Sequence, residues 1–195
     1  MQILKQRDLV DVPWKNGGGI TRNIARGMRA DQAVWTISRA DVAQDGPFSD
    51  FAGMMRVLTV VSGGPMILET PTATIDAALW QPARFDGGIK VNSRLTGGPL
   101  TDLNLMFDLA HCDGNVLVRQ GTLKDEVARP KHGLLALHIL SGEPLIDETR
   151  LTTGDTAFVD QDCAAVQLRP DDALLEIRLA YRSQSEAIKL CIADR

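Results

Sequence analysis

A chain of 195 residues with 44% apolar side chains is long enough for one large domain or two small ones around a substantial core, which excludes dominant disorder. A net charge of -4 and a pI near 5.4 exclude the broad basic footprint of a nucleic-acid or anionic-membrane binder, so neither partner is expected. The three cysteines, Cys112, Cys163 and Cys191, are widely spaced and lack a C-x-x-C pair, which points to reduced thiols rather than disulfides or a zinc site.

In chain order, the first segment is broken by Lys5, Arg7, Asp8 and Asp11, where an export signal needs an apolar run. No later stretch is apolar for the ~18 residues that a membrane span requires. A cytoplasmic protein is the expectation. "VWTISRADV" from Val34 alternates as a half-buried strand does. "LTVVSGGPMILETPTATIDAAL" from Leu58 matches "LHILSGEPLIDETRLTTGDTAF" from Leu137 without gaps, at a shift of 79 and with ten of 22 columns identical. Unrelated segments of ordinary composition share roughly one or two. Each copy reads as strand, Ser-Gly-x-Pro turn, strand, polar turn and strand, with Gly63 and Gly142 at positive φ and Pro65 and Pro144 at strand starts. Residues 107 to 132 read as a connecting loop, with short helices expected at Lys124–Ala128 and Ser183–Lys189. "LLEIRLAYR" from Leu174 predicts a strand with Leu175, Ile177, Leu179 and Tyr181 on one face and Glu176, Arg178 and Arg182 on the other. The whole predicts an all-β, mostly antiparallel barrel or sandwich of two related halves.

"PWKNGGGITR", from Pro13 to Arg22, looks least like ordinary packing. It is not a Walker A loop, because Lys15 precedes the glycines, and it lacks the third glycine of a dinucleotide fingerprint. Two readings stay open. In one, Asn16-Gly17 is a tight turn and Gly18-Gly19 a bulge, with Trp14 plugged into the core. In the other, Gly17, Gly18 and Gly19 let a ligand approach the backbone, and Lys15, Asn16, Thr21 and Arg22 supply donors. Arg56, Asp102 and Asn104 complete that candidate ligand-binding set, since arginine grips carboxylates with two prongs and lysine as a point charge.

"PWKNGGGITRNIA" (Pro13 to Ala25), "GPFSDFAGMMRVLTVVSGG" (Gly46 to Gly64) and "LTGGPLTDLNLM" (Leu95 to Met106) together resemble the HutD/Ves family of the cupin superfamily, which is associated with histidine utilisation. The sequence departs from that pattern at Leu103, where the family commonly has an aromatic, and in "MFDLAHCDG", where relatives tend to be basic. The resemblance implies a cupin-like (RmlC-like jelly roll) fold in a bicupin arrangement, residues 1–106 forming one half and 107–195 the other. It also implies a small-molecule site and an auxiliary or regulatory role, and with the donor set above the first expectation is a non-enzymatic protein that binds a small carboxylate metabolite. By analogy with other cupins, a homodimer is expected.

Enzymatic cupins hold a metal with an H-x-H pair, a glutamate and a later histidine. His111, His132 and His138 offer no such pair, so neither a metal nor another cofactor is expected, and no catalytic residue is assigned. His138 falls opposite Thr59 of the first repeat copy and reads as a hydrogen-bonded structural residue. The alternatives are a metal-independent isomerase or hydrolase using Asp102, Glu69 or His138 as acid or base, and a protein-interaction scaffold. In the competing structural reading, Asp102 and Asn104 brace a loop.

Overall fold

The computed structural model describes residues 1–182 and 188–193. Strand β1 (Gln2–Leu4) is followed by a short 3-10 turn, Gln6–Asp8. Next come β2 (Val12–Pro13), β3 (Gly19–Arg29), β4 (Gln32–Val42), β5 (Gly46–Pro47) and β6 (Met55–Gly63). Then follow β7 (Met66–Glu69), β8 (Thr74–Ala77), β9 (Ala83–Asp86), β10 (Asn92–Leu95) and β11 (Leu100–Phe107). The second half supplies β12 (Cys112–Gln120), β13 (Leu123–Ala128), β14 (Gly133–Ser141), β15 (Leu145–Ile146) and β16 (Thr149–Arg150). It ends with β17 (Thr156–Val159), β18 (Cys163–Leu168), β19 (Ala173–Tyr181) and β20 (Lys189–Ile192). No helix among the described residues is long and apolar enough to cross a membrane.

The chain folds into two compact units. One comprises Val10–His111 with 188–193, and its longer sheet runs β2-β3-β4-β11-β6-β9, with β20 also on β3. Its second sheet runs β5-β10-β7-β8, and the apolar core between the two includes Leu58, Val60, Met66, Leu68, Phe85 and Leu100. The other unit comprises Met1–Leu9 with 112–182, in sheets β1-β17-β14-β19-β12 and β13-β18-β15-β16. Its core includes Leu135, Leu137, Ile139, Ile146, Val166 and Leu174. The units divide at Leu9 and His111 rather than at Met106, and each end of the chain joins the unit built mainly by the opposite half.

The repeat appears as equivalent corners. Gly63 (φ 87°) and Gly142 (φ 76°) take positive φ, and Pro65 and Pro144 stand immediately before β7 and β15. Neither turn closes a hairpin within one sheet. β6 pairs with β11 and β9 while β7 pairs with β10 and β8, so the chain passes from one sheet to the other, and β14 to β15 repeats the move. In both copies Gly and Pro mark a corner because a proline cannot donate to the ladder that it leaves.

Two expectations fail in the stretch read as a loop. Residues 107 to 132 carry β12 and β13, and Lys124–Ala128 lies in β13, paired with Cys163–Gln167 of β18 rather than helical. Lysine, glutamate and alanine favour helix in isolation, but a waiting strand edge overrides so short a propensity. The expected helix Ser183–Lys189 falls largely outside the described residues; its last residue, Lys189, opens β20. Glu176 is buried rather than solvated, and carries ion pairs from Arg119 and Arg178.

Candidate functional site

Alternation along four neighbouring strands determines what faces the interior of the first unit. The cross-strand register aligns Thr21 with Ala40, Asp102 and Val60, and Asn23 with Ser38, Asn104 and Leu58. One step further, Thr36, Met106 and Arg56 are aligned, and Arg56 pairs with Phe85 of β9. Residues paired across strands share a face, so all of these point the same way. Leu58, Val60 and Phe85 fill the core, whereas the polar members border a cavity of about 850 Å³. Its wall also includes Trp14, Lys15 and Asn16 from the β2–β3 loop, and Phe48 and Phe51 from the segment after β5.

Arg56 is only 5% exposed. Its guanidinium carbon lies 5.0, 5.4 and 5.2 Å from the ring centres of Phe48, Phe51 and Phe85, a distance at which each ring face attracts the cation. One Nη donates to Asn104 Oδ1 at 2.6 Å, and Asn104 Nδ2 donates to Asp102 Oδ1 at 2.5 Å. Arg56 Nε is buried without a partner, as is the Thr36 hydroxyl. Burial pushes the Asp102 carboxyl up to about 7, against the opposing pull of Arg56 and the Asn104 hydrogen bond. Burial likewise lowers Arg56 to about 10, with Asp102 opposing, so the guanidinium remains charged at neutral pH. A cation with an unused donor, fixed beside a polarisable carboxyl in a cavity, is equipped to hold an anion and to exchange a proton beside it.

Of the residues expected from sequence, Lys15, Asn16, Thr21, Arg56, Asp102 and Asn104 border this cavity. Arg22 does not. Because Thr21 faces inward, Arg22 faces the opposite side of β3, where Nε meets Asp11 at 2.5 Å and Nη1 meets Asp41 at 2.6 Å. Burial favours a neutral Asp41, but hydrogen bonds from Arg22 and Thr101 outweigh it and hold its carboxyl below the usual range. Gly17, Gly18 and Gly19 are not among the lining residues either. Gly17 N donates to Trp14 O, Gly18 N to Asn16 Oδ1, and a side chain at Gly19 would strike the Asp41 carbonyl. These glycines serve the tight turn instead, and Gly17 takes φ 72°. Trp14 secures the loop by donating from Nε1 to Thr21 Oγ1 at 2.7 Å and by packing on the core.

Sequence reasoning missed the three phenylalanines around Arg56, together with Asn23, Thr36, Ser38 and Met106. The cross-strand members had a signal, since alternation from Asp102 and Asn104 leads to Met106; the rings had none. The other candidate acids and bases lie elsewhere. Glu69 pairs with Arg94 at 3.0 Å, and His138 is buried in the second unit with Nδ1 2.9 Å from Thr156 Oγ1. Among the described residues, no group of three or more His, Cys, Asp or Glu side chains is placed to hold a metal ion.

Both the sequence and the fold have counterparts among known proteins. The family model described as HutD matches residues 6–185. A protein of Pseudomonas putida, described as an uncharacterized 21.2 kDa protein in the hutC 3' region, is 37% identical over 115 residues. That match spans 55% of this chain and 58% of the relative's own length. The structure of HutD from Pseudomonas fluorescens SBW25 (formate condition) is 28% identical and superimposes with a TM-score of 0.80, covering 93% of this chain and 99% of that one. A mutant of Bacillus subtilis oxalate decarboxylase shares the fold at 7% identity, with a TM-score of 0.64 over 98% of this chain and 79% of its own. With the family model spanning nearly the whole sequence and the fold shared with these cupin-like structures, the chain belongs to the HutD family.

Proposed function

We propose that this protein binds a small carboxylate metabolite in the cavity around Arg56 and thereby plays an auxiliary or regulatory part in histidine utilisation, without converting its ligand. The observation that carries this reading is the buried Arg56 guanidinium, whose Nε has no partner and whose position is fixed by three rings and Asn104. Lys15 at the rim adds a second, mobile-armed positive charge, and Thr36, Ser38 and Asn23 offer hydrogen bonds that orient a polar ligand. The same proposal takes the two units as a bicupin, the protein as cytoplasmic, and a homodimer as its assembly.

Isothermal titration of histidine, urocanate, formiminoglutamate, formylglutamate and glutamate, with each mixture re-assayed for chemical change, tests it. Saturable heat with one acid recovered intact is the expected result; silence across the panel would detach the protein from histidine breakdown. Arg56→Met is expected to weaken that binding by about thirtyfold or more, since truncating a buried charged partner costs ~2–5 kcal/mol. Arg22→Ala, which alters only the opposite face of β3, is expected to leave affinity within about twofold. Equal losses in the two variants would remove the assignment to this cavity.

One observation favours an enzyme as the second reading. Asp102, titrating near neutrality beside a fixed cation, suits general acid–base work on a bound carboxylate. Altered ligand in the re-assay, and its loss in Asp102→Asn, would put that reading first.

A further inference from the structure

The cavity holds one buried cation and one buried carboxyl, joined through a single amide. Arg56 on β6 donates to the Asn104 oxygen, which leaves the Asn104 nitrogen to donate to Asp102 on the same strand, β11. With both end groups charged, the relay is neutral overall. A carboxylate accepting from Arg56 Nε would bring a second negative charge into a site whose arginine and aspartate are almost fully withdrawn from water. There, like charges repel far more strongly than in solvent.

Relief must come from a proton, and the surrounding groups leave one place for it. Of the residues bordering the cavity, the ionisable ones are Lys15, Arg56 and Asp102, and Asp102 is the one carboxyl among them. The strands flanking Asp102 place Ala40 and Val60 beside it. Asp41, the nearest other carboxylate on β4, belongs to the opposite face and is kept ionised by Arg22 and Thr101. Phe48 and Phe51 contribute rings and no charge. Asp102 therefore remains, with one oxygen engaged by Asn104 and a carboxyl that titrates close to neutrality even before an anion enters.

We propose that capture is proton-coupled: as a carboxylate settles on Arg56, Asp102 takes up one proton from solvent, so the cavity binds the equivalent of an acid rather than a bare anion. This rests on the carboxylate reading above and adds to it a sign. Affinity is level at pH values where Asp102 is already neutral, and falls by up to tenfold per unit above its titration, until the anion-bound form titrates too. The selectivity follows as well. Monoanions gain, whereas a ligand that places two carboxylates beside Arg56 would need a second proton that the site cannot store.

Acetate, whose own titration lies near the ordinary carboxylate range, is a suitable probe. Titrating acetate at pH 8 in two buffers of different ionisation enthalpy is expected to show uptake of roughly half a proton or more per acetate bound. Between pH 6 and pH 8 the affinity is expected to fall by about fivefold or more. In Asp102→Asn, both the uptake and the pH slope should vanish. Carbon-13 resonances of the Asp102 carboxyl in the parent protein provide the same answer without a variant: saturating acetate should move the titration midpoint to higher pH. Binding without proton uptake, or a midpoint that stays or moves down, overturns the coupling alone. Uptake that persists in Asp102→Asn overturns its assignment to Asp102. Failure of acetate to bind at any pH overturns the carboxylate reading, and the coupling with it.

Discussion

At pH 8 the Asp102→Asn protein is expected to be more stable than the parent by about 4 kcal/mol, and at pH 4 by only a fraction of a kcal/mol. Asp102 is wholly buried, and its carboxyl is pushed up to about 7, well above the ordinary carboxylate value. The native state therefore holds that proton more tightly than the unfolded chain does. Well below pH 4 both states carry it and the group contributes nothing, and at pH 4 the difference is still only a fraction of a kcal/mol. As pH rises from there to about 7, only the native state retains it, and stability falls by ~1.4 kcal/mol per unit. Above that range both states have lost it, and the full deficit persists. Asparagine keeps the shape and still accepts from Asn104, but has no proton to lose. Urea unfolding of both proteins at pH 4, 6 and 8 measures the difference; a gap that does not widen with pH would mean that Asp102 is ionised at little cost. A cavity that keeps so unfavourable a carboxylate is sacrificing stability where a hydrophobic pair would have served packing better.

The second large effect lies away from the cavity. Gly27 on β3 is the register partner of Trp35 on β4, and a methyl group there would fall inside the Trp35 indole. Trp35 is fully buried, so the ring has no free space to yield. Gly27→Ala is expected to destabilise by about 3 kcal/mol, the upper part of the usual range for overpacking. The urea midpoint should fall with an unchanged slope, and Tm should drop by roughly 6 °C or more. Gly46→Ala is the matched comparison, because a methyl group there meets nothing within 4 Å and its φ is not positive. If the two variants unfold alike, steric closure against Trp35 is not what keeps position 27 a glycine.

Much of the fold was legible because strand alternation and corner residues leave marks in the sequence. The Gly-Pro corners at Gly63 and Gly142 recur in the repeat, and β4, β6, β14 and β19 read as strands. β13 was not legible, because "LKDEVA" is built of helix-compatible residues and owes its extended form to β18. At the site, donor chemistry and resemblance group Arg56, Asp102 and Asn104 in one ligand-binding set, and all three border the cavity. Arg22 failed on parity: once Thr21 faces inward the next residue cannot, and nothing in the sequence fixes which of the two does. The three rings around Arg56 come from separate segments, and only tertiary contact collects them.

The repeat also shows how the halves have diverged. The residue of the second copy that corresponds to Arg56, at the same shift of 79, is Leu135, a member of that unit's apolar core. An apolar core side chain thus stands in the second copy at the sequence position where the first has the Arg56 cation.

The position of β20 sets an order on synthesis. It covers part of the β3 edge through pairs from Ala25–Ile192 to Met28–Lys189, yet in the chain it follows the whole of the other unit. A nascent chain can therefore assemble most of the cavity early, but it carries an uncapped β3 edge until the second unit has left the ribosome. Translation pauses in the second half would lengthen that exposure, and the open edge is where a chaperone, or a neighbouring nascent chain, would find purchase.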